Sequence, residues 1–337
     1  MKQALFFDKI KEDEVNCKLC PHNCHIKTGK RGICRVRKNI DGILYSENYG
    51  KVSSLNFDPI EKKPLYHFFP GKTIFSIGSV GCNLSCKFCQ NWDIAQASVD
   101  DYPNLRTCSV NEIVRIAAQK AENIGIAYTY NEPIVWYEFM LEIAKQAKFE
   151  RLKNVIVSNG FINKTPLEEL VKYIDAFSVD LKAYTETFYR SYTSSQLDPV
   201  KSSLKFIQES GRHLEITNLV IPTLNDDEKI FEEMINWIAE ELSEDIVLHL
   251  SRYFPGHKMN IEATPISKLT HLYKIAAKRL KYVYLGNVGY SSGGNNTFCS
   301  NCDKLLIKRQ GYFTSITGLD SEGNCRYCGD KTLIIVG

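Results

Sequence analysis

Two hydrophobic rhythms alternate along most of the chain. Short apolar runs, TIFSIGSV from Thr73, then IAYTY, VIVSN, FSVDLK, LEITNLVIP, IVLHLS and YVYLGNV, have the length and β-branched content of buried strands. Between them lie segments with apolar residues three and four apart: SVNEIVRIAAQKAENI, PIVWYEFMLEIAKQAK, TPLEELVKYI, PVKSSLKFIQES, a stretch near 227 to 242 and PISKLTHLYKIAAKRL. The first of these helical segments opens with a capping box, Ser109 to Glu112. Strand and helix repeating at this rhythm predict an α/β protein built from six or seven βα units around a parallel sheet. Such units curl into a full or partial barrel or lie as an open doubly wound sheet, and periodicity does not choose between them. In either arrangement a ligand site belongs at the C-terminal ends of the strands, so the residues there matter most.

The flanks break the rhythm. Residues 1 to 40 form a Cys/His-rich N-terminal metal module, 41 to 72 an extended lead-in, 73 to 290 the βα region and 291 to 337 a β-rich C-terminal module. The last begins with a turn-rich linker, SSGGNNT. A chain of 337 residues, 44% of them apolar, can bury a large core. A net charge of +3 argues neither for nor against a nucleic-acid partner. No apolar run approaches the roughly 20 residues of a bilayer-spanning helix, so a cytoplasmic protein with no membrane partner is expected.

Twelve cysteines change the picture. Eleven fall into three groups at gaps that suit metal sites in a reducing compartment: Cys17, Cys20, Cys24 and Cys34; Cys82, Cys86 and Cys89; and Cys299, Cys302, Cys325 and Cys328. The middle group follows the first strand in GCNLSCKFCQNW. Three thiolates fill neither a tetrahedral zinc site nor all four corners of a [4Fe–4S] cube, so one iron of a cube would be left open. A catalytic metal site keeps such a position for its substrate. The alternative is a zinc ion completed by a distant His or Cys.

At these residues the chain resembles the radical S-adenosylmethionine (radical SAM) superfamily, marked by CxxxCxΦC with Φ aromatic: here Cys82, Cys86, Phe88 and Cys89. The resemblance implies a partial (β/α)6-type barrel. It also implies a [4Fe–4S] cluster whose open iron binds the amino and carboxylate groups of SAM, and reductive cleavage to methionine and a 5′-deoxyadenosyl radical. Asn131, Glu132 and Pro133 end a strand where the superfamily carries a Gly-Gly-Glu-like motif, with Tyr130 and Asn131 replacing the glycines. VIVSNGF, FSVDLK and LEITNLVIPTLNDDE resemble the TNGF, DLK and VVPxxxD segments of activating enzymes of glycyl-radical proteins, with Val157 where that family has Asp. The resemblance thus adds Ser158, Asn159, Asp180 and Lys182 to the expected SAM pocket, and IVLHLSRYFPGHKM offers Arg252 or His249 for adenosine. Together with CPHNCHIKTGKRGICRVR and DPIEKKPLYHFFPG, these motifs make nearly the whole chain similar to the radical SAM enzyme of the AmmeMemoRadiSam system. That likeness implies Memo-like and AMMECR-like partners.

The C-terminal cysteines form two CxxC knuckles at zinc-ribbon spacing, for which structural zinc is expected. The N-terminal group suits zinc or an auxiliary [4Fe–4S] cluster, with His22 and His25 as alternative ligands, zinc being slightly favoured. Cys108, His67 and His271 are expected to be structural. The function expected is SAM-dependent radical chemistry on a macromolecular substrate, fed by a reducing electron donor. The alternative is a non-enzymatic multi-zinc module that binds nucleic acid, for which Lys27 to Lys38 would be the footprint.

Overall fold

The computed structural model describes residues 1–289 and 294–337; the expected linker SSGGNNT lies partly outside the described residues. One eight-stranded sheet organises the chain. Its strands are β1 (Ser54–Pro59), β2 (Thr73–Gly78), β3 (Asn123–Tyr128), β4 (Lys153–Ser158), β5 (Ala176–Asp180), β6 (His213–Val220), β7 (Val247–Arg252) and β8 (Tyr282–Gly286), in sequential order. β2 to β8 run parallel, and β1 pairs antiparallel with β2 as an edge. Six helices make the crossovers: α1 (Val110–Gln119), α2 (Tyr137–Phe149), α3 (Lys164–Leu170), α4 (Leu197–Glu209), α5 (Glu228–Glu241) and α6 (Ile266–Ala276).

This is the expected α/β architecture, with two additions. Six strand–helix units are followed by a seventh parallel strand, β8, and the lead-in supplies the antiparallel edge. The central strands are near-continuous apolar runs because helices cover one face and the barrel interior the other. Ile126, Val155, Ile156, Val179, Ile216 and Leu248 are all buried. Ser109 caps α1 by accepting from the Glu112 N–H at 3.2 Å, while the Glu112 carboxylate pairs with Arg106 and does not close the box.

The barrel stays open between β1 and β8, with no pairing of those two strands among the described residues. The segment after β1 links the ends instead. Tyr66 and His67 donate their backbone N–H groups to the Glu215 carboxylate of β6, and the His67 ring meets the Tyr284 hydroxyl of β8 at 2.7 Å. The C-terminal module docks on the same segment. Arg309 donates to the Tyr66 carbonyl at 2.7 Å, and Phe68 bridges to Ile335. His67 is therefore structural, as expected.

Parallel register sets the functional end. Ser158 lies beside Val179, Asp180 beside Thr217, and Leu219 beside Ser251, so the strand ends present their side chains at one rim. No helix of the described chain is long and apolar enough to cross a membrane.

Candidate active site

The three-cysteine loop leaves β2 at Gly78 and turns across the rim. Gly81 is required there. Its φ is +92°, and a Cβ at that position would stand 2.7 Å from the Cys34 carbonyl oxygen. Backbone bonds pin the loop on both sides: Gly81 N–H donates to Ile94 O, Ser85 N–H to Thr193 O, and Lys87 N–H to Tyr192 O, each at 2.9 Å. Cys82, Cys86 and Cys89 then line one cavity, whose empty volume of about 1640 Å³ includes its open mouth.

Lining the same cavity are Asn131, Glu132, Ser158, Asn159, Asp180 and Lys182, all expected from the sequence. Glu132 is their centre. It is 4% exposed and accepts from Ser158 Oγ at 2.9 Å, Asn159 N–H at 2.8 Å and Ile134 N–H at 3.2 Å. All three donors are neutral, so burial dominates and lifts the carboxyl to about 7. Such a group favours a ligand that donates a hydrogen bond to its ionised form, adding to the weaker pull of Lys182.

Lys182 donates to Asp180 at 2.8 Å on the same strand end. Burial works against its ammonium, yet Asp180 and Cys86 outweigh burial and keep it charged. Burial raises the Cys82, Cys86 and Cys89 thiols, Cys86 to about 12 with Lys182 opposing, so iron binding here displaces protons. Asn159 adds a donor 3.8 Å from Cys82 Sγ, and the Leu84 N–H lies 3.3 Å from the same sulfur.

Two expected ligands act differently. Asn131 is a brace: its Oδ1 accepts from Ser79 N–H at 3.0 Å and its Nδ2 donates to Gly81 O at 2.9 Å, fixing the start of the cysteine loop. Arg252 is absent from the cavity lining. Its Nε donates to Thr264 O at 2.7 Å and its guanidinium lies 4.8 Å from the Phe254 ring centre. The other choice, His249, is buried and bonds Glu215 at 2.6 Å in the barrel interior.

Tyr130 explains how the chain manages without the glycines of the superfamily motif. It keeps the left-handed conformation, with φ +75°, at a cost of about 1–3 kcal/mol. Its hydroxyl donates to Asp58 at 2.7 Å and its carbonyl accepts from Asn91 at 2.8 Å, and these contacts hold the strained residue. Sequence reading missed Lys62 and Lys63, which also line the cavity. Lys63 is buried and paired with Asp58 at 2.7 Å, its ammonium 4.7 Å from the Tyr130 ring centre. DPIEKKP was the available signal, but nothing in it marks two lysines as facing a cavity.

The cavity fits a cluster held at three corners: its described lining offers three thiols and no histidine. The C-terminal cysteines differ. Their four sulfurs lie within 4.8 Å of one another, as a closed tetrahedral metal site requires. The N-terminal thiols share a second, smaller cavity, with His22 turned to the Asn83 carbonyl at 2.7 Å and His25 turned outward to Glu14 at 2.8 Å.

Comparison with known proteins agrees with this geometry. The family model described as the radical SAM superfamily matches residues 76–238. An uncharacterized protein of Methanocaldococcus jannaschii is 41% identical over the full length of both chains. The pyruvate formate-lyase-activating enzyme of Clostridium pasteurianum is 23% identical over 47% of this chain and 66% of its own. Among solved structures, SuiB of Streptococcus suis bound to S-adenosylmethionine superposes with a TM-score of 0.51, covering 69% of this chain and 53% of that one at 14% identity, a likeness of fold alone. A non-enzymatic zinc module does not account for these matches. The three thiols at the rim of an open parallel barrel have a family context: the chain belongs to the radical SAM superfamily of enzymes.

Proposed function

We propose that Cys82, Cys86 and Cys89 hold a [4Fe–4S] cluster and that Glu132, Ser158, Asn159, Asp180 and Lys182 form the SAM pocket beside it. The observation that carries this reading is a shared cavity, lined by three thiols and by a buried carboxylate whose proton affinity burial raises. When bound, the cluster supplies the electron that splits SAM into methionine and a 5′-deoxyadenosyl radical. The chain's own residues do the positioning. Ionised Glu132 accepts from the SAM amino group, and the Ser158 and Asn159 donors fix the orientation of that carboxylate. Asn131 and the strained Tyr130 turn hold the cysteine loop against the strand ends. Leu84, Phe88 and Leu219 give the cavity apolar walls that keep water from a reactive radical.

The radical acts on a macromolecule, a reading that rests on the likeness to activating enzymes and on two appended cysteine modules that enlarge the docking surface. Memo-like and AMMECR-like proteins are the partners to try, and a low-potential electron donor is needed. Zinc is the ion assigned to the C-terminal cysteines, because tetrahedral zinc–thiolate geometry sets sulfurs about 3.8 Å apart and two pairs here stand at 3.6 and 3.7 Å. Anaerobic reconstitution followed by SAM and dithionite is expected to yield 5′-deoxyadenosine, with Cys86→Ala abolishing it. A protein that binds the cluster yet never cleaves SAM would refute the proposal.

A further inference from the structure

We propose that the N-terminal nest of Cys17, Cys20, Cys24 and Cys34 holds an iron–sulfur cube, reversing the slight preference for zinc that the sequence suggests. The four thiols line one small cavity, about 350 Å³ of empty space when its opening to solvent is included, walled by Leu19, Ile26, Ile33 and Val135. A zinc ion draws its sulfurs to about 3.8 Å from one another and leaves no void between them. The C-terminal group has that closeness; among the described residues it is the only set of three or more metal-ligating side chains whose ligand atoms all lie within 4.8 Å. The N-terminal thiols stand further apart. In a cube each thiolate binds its own iron at a separate corner, so the sulfurs are held apart around a body that fills the space between them.

Three further observations fit the cube. His25 is turned outward to Glu14, and His22, which also lines the cavity, has its Nε2 on the Asn83 carbonyl, so the four thiols supply one donor for each corner of a cube. Arg37, 1% exposed, lines the cavity with Nη1 on Glu138 and Nη2 on the Leu5 carbonyl, while its buried Nε has no hydrogen-bond partner. A buried donor left unmatched is costly, and cluster sulfur is an acceptor. The nest also lies against the SAM-cleaving loop. Asn83, next to Cys82, lines the nest, bonds His22 through its carbonyl and accepts from Asn159 at 2.9 Å, and the Cys34 carbonyl packs on Gly81.

The test uses the full chain produced anaerobically with ⁵⁷Fe and does not depend on SAM cleavage. The triple variant Cys82→Ala, Cys86→Ala, Cys89→Ala is expected to keep about four iron and four sulfide per chain with the Mössbauer doublet of a [4Fe–4S] cluster. A second variant, Cys20→Ser with Cys24→Ser, is expected to lower the iron of the otherwise unaltered chain from about eight to about four, leaving zinc unchanged. The unaltered protein alone gives a reading that needs no variant to fold: about eight iron and one zinc support the cube. Two zinc and about four iron would overturn it, as would a triple variant whose nest contains zinc or no metal. If the Cys82 loop instead proves not to bind a cluster, the triple variant matches the unaltered chain at about four iron, which separates that failure from this one.

Discussion

Two buried glutamates inside the same barrel have opposite electrostatics. Glu132, at the rim, meets only neutral donors, and burial raises its carboxyl to about 7. Glu215, fully buried on β6, also loses hydration. It receives hydrogen bonds from His213 at 2.9 Å and His249 at 2.6 Å, and from the Tyr66 and His67 N–H groups, which together hold it well below the usual carboxylate range. The difference separates a staple from a binding site. Glu215 is complete within the protein and ties the lead-in to the sheet. Glu132 is hydrogen-bonded by neutral groups, and the Lys182 charge opposes burial only weakly, so its ionised form is fully favoured only when a ligand donates to it.

The largest expected effect follows from the staple. Glu215→Ala strands two histidines and two backbone donors in the interior, and a loss of about 3–5 kcal/mol is expected in urea unfolding. Glu132→Gln, by contrast, should not lower the urea midpoint at neutral pH, and it should weaken SAM binding roughly ten- to a hundredfold, as for a lost charge-assisted hydrogen bond. Isothermal titration with the reconstituted protein measures this. Equal effects of the two changes on stability would erase the distinction.

Acid and base then sharpen it. Glu132 has a folded-state value above its ordinary 4.5, so the folded apoprotein holds the proton more tightly than the unfolded chain does. Its contribution to stability is greatest below 4.5 and declines as pH rises towards 7, by about 3 kcal/mol at most. Glu215 has a lowered value, so its contribution is present above 4.5 and is lost as pH falls through its folded value. Stability profiles of Glu132→Gln and the unaltered protein are expected to converge at low pH and part near 7. Over the same range SAM affinity should rise with pH, by up to about tenfold per unit below 7, because the ionised carboxylate is the form that accepts from the SAM amino group.

Much of the rim was legible because its chemistry is written in local motifs. The cysteine loop, TYNEP, SNG and DLK each sit at the end of an apolar strand run, and parallel register brings such ends together. The C-terminal knuckles were legible from spacing alone. What stayed hidden depends on distant contacts. Lys63 reads as one charge in a polar stretch until the fold sets the Tyr130 ring 4.7 Å from its ammonium. His213 and Glu215 share one face of β6, but His249 and His67 reach that carboxylate only when β7 pairs and the lead-in packs back on the sheet. Arg252 misled because a strand end has two faces: Ser251 lines the cavity, whereas its neighbour turns to Thr264.

That last point gives the smallest expected effect. Arg252→Ala should change SAM affinity by no more than about twofold, since its guanidinium is spent on the Thr264 carbonyl and the Phe254 ring.

In the proposed site SAM's amino group reaches both the iron left open by Cys82, Cys86 and Cys89 and the carboxylate of Glu132. Electron–nuclear double resonance on the dithionite-reduced, reconstituted protein, mixed with SAM carrying ¹⁵N in its amino group and frozen before turnover, measures the first contact directly. A resolved ¹⁵N coupling that weakens or disappears in Glu132→Gln is the predicted result. A reduced cluster with no ¹⁵N coupling at saturating SAM, or a coupling indifferent to Glu132, would contradict it.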